Sequence, residues 1–152
     1  AGSLRRHKHV VNDIDIVVIP KLVETADDTL FGEPVRDNLL DRKFAQLCLL
    51  GQLMIEVNGP RIKRFVRIVD GDTTPIDFYI ANEQSWSTTL LIRTGSRYHN
   101  IKLAKRALDL HMRLLGDGSG LLTAGGTVIP VQSEEEIFRL LGLAYRSPEE
   151  RE

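Results

Sequence analysis

The sequence predicts an α+β fold: a mixed sheet with a helix lying on it in the first part of the chain, then helices and a small hairpin. Three observations carry that expectation. Alternating, β-branched runs occupy residues 10–20, 63–69 and 74–81, the last two split by Asp70-Gly71-Asp72. Between the first run and the other two, Phe44, Leu47, Leu50 and Met54 repeat with a helical period. After Asn82 the pattern turns helical.

Taken in order, residues 10–20 read VVNDIDIVVIP, where Asp13, Asp15, Val17 and Ile19 alternate with Ile14, Ile16 and Val18 until Pro20 stops a strand. Residues 21–38 are mixed, with Thr25-Ala26-Asp27-Asp28 and Gly32-Glu33-Pro34 as breakers. Asp37 or Asn38 can cap the next helix, which the spacing carries through Met54, and Asn58-Gly59-Pro60 turns the chain. In the third strand Ile76, Phe78 and Ile80 share one face, and Asp77 and Tyr79 the other. Helices are expected over 85–92 and 96–115, the longer one burying Ile101, Ala104, Leu108 and Leu115. The glycines of 116–120 end it, and 121–131 suits a hairpin around Gly125-Gly126. Ser133 and Glu136 read as a capping box for a last helix through Ile137, Leu140 and Leu141, stopped by Gly142. Trp86 is expected in the core and His111 at a helix boundary.

The 152 residues suit one domain, or one domain with a small appended lobe. With 42% hydrophobic and 27% charged residues, a disordered chain is excluded. No apolar run reaches the roughly 18–20 residues that span a bilayer, so no membrane partner is expected. The single Cys48, within Leu47-Cys48-Leu49-Leu50, allows neither an internal disulfide nor a Cys-rich zinc site. It reads as a buried thiol in a reducing compartment. No signal peptide with an apolar core opens the sequence, and an intracellular location is expected, cytoplasmic in a bacterial or viral source. A net charge of −1 excludes coating nucleic acid by charge alone, so such contacts must come from local patches.

Asp13 and Asp15, two apart on one strand, are expected to project from the same face. Carboxylates so close repel, and a divalent cation relieves the repulsion. Asp77 is a third carboxylate on a nearby strand, and three such groups can hold two metals roughly 3.5–4 Å apart for an in-line phosphoryl displacement. Taken alone, Asp-x-Asp reads more readily as an acidic solvent face. The upstream turn shifts that balance. Gly2-Ser3 allows backbone N–H groups and a hydroxyl to approach a phosphate, and Arg5 and Arg6 can neutralise a triphosphate. His7 and His9 read as part of a basic loop rather than a metal site. Lys102, Lys105, Arg106 and Arg113 fall within one helical arc, which by itself suits a solvated face. Arg61, Lys63, Arg64 and Arg67 form a second basic cluster.

Gly2-Ser3-Leu4-Arg5-Arg6 followed by Asp13-Ile14-Asp15 resembles the nucleotidyltransferase signature of the family X DNA polymerases, the family of DNA polymerase beta. Asp77, in Ile-Asp-Phe-Tyr, resembles that family's third catalytic aspartate. Thr94-Gly95-Ser96-Arg97-Tyr98-His99-Asn100 is similar to its Thr-Gly-Ser-x-x-His-Asn segment, and the residues from Leu141 to the end resemble its closing segment. The resemblance implies a nucleotidyltransferase palm over residues 1–82, a mixed sheet with helices on one face, and a C-terminal lobe over 83–152 that binds nucleotide and DNA. It implies a DNA-directed DNA polymerase that adds nucleotides from triphosphates to a primer 3′-hydroxyl, acting as a monomer on primer-template or gapped DNA. Asp13, Asp15 and Asp77 would hold two magnesium ions, with manganese able to substitute. Gly2, Ser3, Arg6, Asn12, Gly95, Arg97 and Asn100 would hold the nucleotide, and Arg64, Lys102, Lys105 and Arg106 the DNA.

The sequence also departs from the family. Ile92 and Arg93 stand where an aromatic pair often crowds the sugar, which predicts weaker exclusion of ribonucleotides. Pro75 replaces a positive residue two before the third aspartate, and Ala104 an arginine that reads the template side. Neither a lyase domain nor a helix–hairpin–helix motif is expected. A template-independent or ribonucleotide-tolerant nucleotidyltransferase is therefore the alternative, and a non-catalytic nucleic-acid-binding module a third reading.

Overall fold

The alternation over residues 62–80 builds the centre of a four-stranded sheet. Strands β5 (Ile62–Val69) and β6 (Asp72–Ile80) pair antiparallel around Asp70-Gly71. Both turn residues take positive φ, 51° and 89°, as a tight two-residue hairpin loop requires. Strand β4 (Leu53–Asn58) adds antiparallel to β5. Strand β1 (Ile14–Val18) adds parallel to β6, giving the order β1-β6-β5-β4. The structure is a computed structural model that describes residues 1–25 and 35–152. A separate antiparallel pair joins β2 (Leu22–Thr25) to β3 (Val35–Asn38). The breakers expected at 26–28 and 32–34 lie outside the described residues.

Helix α2 (Leu39–Leu49) starts directly after β3. The Asn38 side-chain oxygen accepts hydrogen bonds from the backbone N–H groups of Leu40 (3.0 Å) and Asp41 (3.3 Å). Replacing Asn38 by alanine is expected to cost about 1 kcal/mol, read as an earlier midpoint in urea unfolding. Phe44 points from this helix onto the sheet, its ring centroid 4.4 Å from that of Phe65 and 4.7 Å from that of Phe78. Leu53, Leu40 and Leu47 complete the cluster, and Cys48 sits half-buried at its margin rather than fully inside. One face of the sheet is thereby covered. The other face carries Asp15, Asp77 and Arg64 as side-by-side register partners, beneath the N-terminal turn and the third helix.

The helix is shorter than its spacing predicts. Leu50 caps it, Gly51 turns the chain at φ +68°, and the next apolar run becomes β4. Leu53 packs in the core while Met54 is 51% exposed, because a strand sends neighbours to opposite faces. The first strand is also narrower than residues 10–20, leaving Asp13 in the preceding loop.

Beyond residue 82 come α3 (Trp86–Thr94) and α4 (Arg97–Asp109). A three-stranded antiparallel sheet follows, made of β7 (Met112–Leu114), β8 (Leu121–Thr123) and β9 (Val128–Ile129). Helix α5 (Glu134–Leu140) closes a core of Leu91, Leu103, Ala107, Leu121, Val131, Ile137, Phe138 and Leu141. The expected helix over 96–115 stops at Asp109. His111 turns at φ +56°, so Arg113 and Leu115 are not on the helix. Its buried face is also different: His99, Leu103 and Ala107 point inward, while Ile101 and Leu108 are exposed. Trp86 opens α3 and is exposed, not in the core. At α5 the Ser133 hydroxyl accepts from the Glu136 N–H (3.2 Å), and Glu136 reaches past Ser133 to the Gln132 N–H (2.8 Å). Among the described residues no helix is long and apolar enough to cross a membrane.

Candidate active site

A cleft of about 500 Å³ opens between the uncovered sheet face and helices α3 and α4. Its floor begins at a four-residue helix, α1 (Gly2–Arg5). Gly2 has a φ of +59°, and a Cβ there would collide with the Asp15 carboxylate. Glycine is therefore required both for its backbone conformation and for close approach to the carboxylate. Next along, the Ser3 hydroxyl and the Arg6 Nε are buried without a partner. Arg6 is held by its Nη1, which donates to the Thr94 carbonyl.

Arg5 takes a different direction from the one expected. Its guanidinium makes two 2.8 Å hydrogen bonds to Glu134 and a third, also 2.8 Å, to the Thr94 hydroxyl. Arg151, fully buried, grips the same carboxylate at 2.9 and 3.2 Å. Arg5 is thus spent on tying α1 to α5 and the C-terminal segment, and of this arginine pair Arg6 is the one that lines the cleft.

Asp13 and Asp15 both line the cleft. Strand alternation is not the reason, since Asp13 is exposed in the loop before β1. Asp77 lies beside Asp15 in the register of the two parallel strands, though it does not itself line the cleft. Its two oxygens accept from the Nε (2.6 Å) and Nη2 (2.7 Å) of Arg64, its register partner on β5. Tyr79, two residues along the same face, donates to Asp77 at 3.2 Å. The Arg93 guanidinium stacks 4.2 Å above the Tyr79 ring.

The charges follow from this packing. The Arg64 hydrogen bonds hold the Asp77 carboxyl below the usual carboxylate range, against the opposing effect of burial. Burial pushes Asp15 up, the Tyr79 hydrogen bond opposes that, and repulsion from Asp13 and Asp77 adds to it. Burial and the Asp15 and Asp77 carboxylates push the Tyr79 phenol up, so it remains a donor. The charged form of Asp15 is therefore disfavoured by burial and by its acidic neighbours.

Asp13 and Asp15 suit a magnesium ion, which is ordinarily held by one or two carboxylates together with substrate phosphates. Asp77 can join them only when Arg64 lets go, and no three acidic, His or Cys groups among the described residues stand close enough to hold a metal.

Gly95, Arg97 and Asn100 line the opposite wall, with Ile92, Ile101 and Ala104 nearby. The Asn100 amide donates to the Ile92 carbonyl at 2.8 Å, leaving its buried Oδ1 without a partner. Ser96 caps α4 through the His99 N–H (3.2 Å), which sets that helix's start beside the cleft. Asn12 is exposed and does not line the cleft.

Lys102 and Lys105 are exposed on α4, but Arg106 is half-buried and its Nε donates to the Leu141 carbonyl (2.8 Å). The cluster at 61–67 is split by strand alternation. Lys63 is buried, with Asp41 at 3.0 Å and Asn58 at 2.6 Å, while Arg61 pairs with Asp117 at 3.0 Å. Sequence reasoning put Tyr79 on the face of Asp77 and noted Arg93, but missed the Tyr79 hydrogen bond to Asp77, the Arg93 stack on Tyr79 and the grip of Arg64. For Tyr79 a signal existed, because Asp-x-Tyr on a strand puts both side chains on one face.

Comparison with known proteins gives a consistent answer. Residues 89–152 match the family model "DNA polymerase beta thumb". The whole chain aligns with the DNA polymerase/3′-5′ exonuclease PolX of Bacillus subtilis (strain 168) at 29% identity, and 99% of it with the DNA polymerase lambda of Rattus norvegicus at 24%. It spans 24% and 28% of the length of these two relatives. Its fold matches that of the Leishmania infantum polymerase beta in a ternary primer-template complex. That match has a TM-score of 0.78 at 20% identity and covers all of this chain and 66% of that one. The chain is thus similar along its length to DNA polymerases, in its last part to the DNA polymerase beta thumb, and in its fold to a polymerase beta.

Proposed function

We propose that the chain is the nucleotide-adding unit of a DNA polymerase, with residues 1–82 as its palm and 83–152 as the lobe that holds nucleotide and DNA. One observation carries the reading: unpartnered Ser3 Oγ, Arg6 Nε and Asn100 Oδ1 belong to residues lining the same cleft as the Asp13 and Asp15 carboxylates. Such a cleft is made for a ligand with many oxygens at one end and a hydrogen-bonding edge at the other. A nucleoside triphosphate has both. In this reading Ser3, Arg6 and the Gly2 backbone take the phosphates, with the Asn12 backbone beyond them. Gly95 and Arg97 border the sugar, and Asn100 meets the base. Asp13, Asp15 and a released Asp77 would hold two magnesium ions, or manganese, which supply charge neutralisation on the phosphates and acidify the primer 3′-hydroxyl. Asp77, once released by Arg64, would orient that hydroxyl, and Arg6 would offset charge that builds on the phosphates. The unit works as a monomer on primer-template or gapped DNA. The test is primer extension with and without a template strand, in the intact chain and in Asp15→Asn. Extension that survives Asp15→Asn unchanged would overturn the reading.

DNA contact then falls to Lys102 and Lys105, while Arg64 reaches a primer only on leaving Asp77. Each phosphate contact removed should lower the slope of log affinity against log salt by about 0.9. A Lys102→Ala/Lys105→Ala protein should show that drop in a salt titration, and Arg106→Ala, whose Nε already serves Leu141, a smaller one.

A second reading, a ribonucleotide-tolerant or template-independent enzyme, is favoured by the wall residues. Ile92 has no ring to crowd a sugar, Arg93 is drawn away onto Tyr79, and Ala104 presents no hydrogen-bonding group. A pocket that merely tolerates one extra hydroxyl discriminates by about 10²-fold. Single-nucleotide insertion is expected to show a deoxy-over-ribo preference in kcat/KM of about that size. A preference above about 10⁴ would require a gate built from other residues.

A further inference from the structure

On the side of α4 away from the cleft lies a smaller cavity, about 210 Å³, between that helix and the C-terminal segment. Four of its walls are basic: His99, Lys102, Arg106 and Arg146. His99 is only 4% exposed, yet neither of its ring nitrogens has a hydrogen-bond partner among the described residues. Buried polar atoms are nearly always satisfied, so two orphaned nitrogens on one ring call for a missing partner. The ring is held in place against Phe138, with centroids 5.6 Å apart.

The surroundings decide what that partner is. Burial, then the charges of Arg151, Arg146 and Lys102, push the imidazole down to about 4, against a weaker pull from Glu134. At neutral pH the ring is therefore uncharged and offers one N–H donor and one acceptor. Those same cations favour an anion beside it. Glu152 also lines the cavity, and its carboxylate is already paired with Lys8. The volume falls below the roughly 300–1,000 Å³ of clefts that hold drug-sized ligands, which suits a small oxyanion better than a base or a peptide side chain. Arg106 is steadied by its Nε bond to the Leu141 carbonyl, and Lys102 stands 4.2 Å over the Tyr98 ring.

We propose that this cavity is a phosphate-binding site in which His99 donates its ring N–H to a phosphate oxygen while Lys102, Arg106 and Arg146 balance the charge. The phosphate is either a free ion or a backbone phosphate of a nucleic-acid strand lying along α4. The proposal stands on the cavity and holds whether or not the chain extends primers.

The test is imidazole NMR on the full chain in phosphate-free buffer. Inorganic phosphate is titrated at constant ionic strength, with chloride as the control and, separately, a short oligodeoxynucleotide without terminal phosphates. A saturable shift of the His99 ring signals is expected with at least one of the two ligands. The three other histidines, all exposed, provide internal references. A Lys102→Ala/Arg146→Ala protein, altered only at exposed positions, should bind at least tenfold more weakly. Displacement of bound phosphate by the oligonucleotide, or a shift with the oligonucleotide alone, identifies a strand phosphate as the ligand. Retention of phosphate identifies the free ion. No saturable shift with either ligand, or a shift that the double substitution leaves unchanged, overturns the proposal.

Discussion

Replacing Glu134 by alanine is expected to destabilise the protein by about 3–5 kcal/mol. The carboxylate is buried and accepts hydrogen bonds from both Arg5 and Arg151, the latter with no exposed surface at all. Alanine would strand two guanidinium groups, one of them with no access to water. The cost is the desolvation of an unpaired buried charge, which exceeds what the intact network contributes. Glu134→Gln keeps the acceptor and should lose less. The pH dependence has a definite sign. Burial by itself raises the Glu134 carboxyl, but the hydrogen bonds from Arg5 and Arg151 outweigh it and hold the group below its ordinary 4.5. A carboxyl lowered in the folded state stabilises fully above its unfolded value and loses that contribution as pH falls through the folded one. Urea unfolding at stepped pH should show the native protein weakening below about 4.5 and the alanine variant weakening less. Equal losses in both would remove Glu134 from the balance.

Asp77→Ala is expected to reduce single-turnover nucleotide addition by roughly 10³-fold, about 4 kcal/mol of transition-state stabilisation. Triphosphate affinity should change little, because Ser3, Arg6, Asp13 and Asp15 remain. A loss of fold is not the expected route. Arg64, left without its partner, has 43% of its side chain exposed and can rehydrate. Parallel measurements of nucleotide binding and insertion separate the two effects. A variant that binds and inserts normally would place the chemistry on other groups.

Much of the fold was legible because the signals were local. The hairpin at Asp70-Gly71, the Asn38 cap and the Ser133 cap each depend on residues only a few positions apart. The errors came where one apolar run served two elements. Leu47-Cys48-Leu49-Leu50 runs on toward Leu53 and Met54, and period alone does not tell a helix from a short buried strand. In α4 the inward face holds a histidine and an alanine, so the more apolar Ile101 and Leu108 marked the wrong side. The candidate site divided in the same way. The three aspartates and the Gly2-Ser3 turn stood out as types and spacings. The grips of Arg64 on Asp77 and of Arg5 on Glu134 depend on sheet register and on a contact across almost the whole chain, which no local pattern encodes.

The parallel pairing of β1 with β6 bears on folding kinetics. Ile14 meets Ile76, and Asp15 meets Asp77, across roughly 60 intervening residues, with β4 and β5 formed in between. The β5–β6 hairpin closes through a short loop and can form early. The edge strand must first bear the entropy of a long closure, for which its few bridging hydrogen bonds repay little until the neighbouring strands are in place. The two carboxylates are therefore expected to come together late in folding. A chain whose central hairpin is already native can still lack the paired acids, so assembly of the site reports completion of the fold rather than its nucleation.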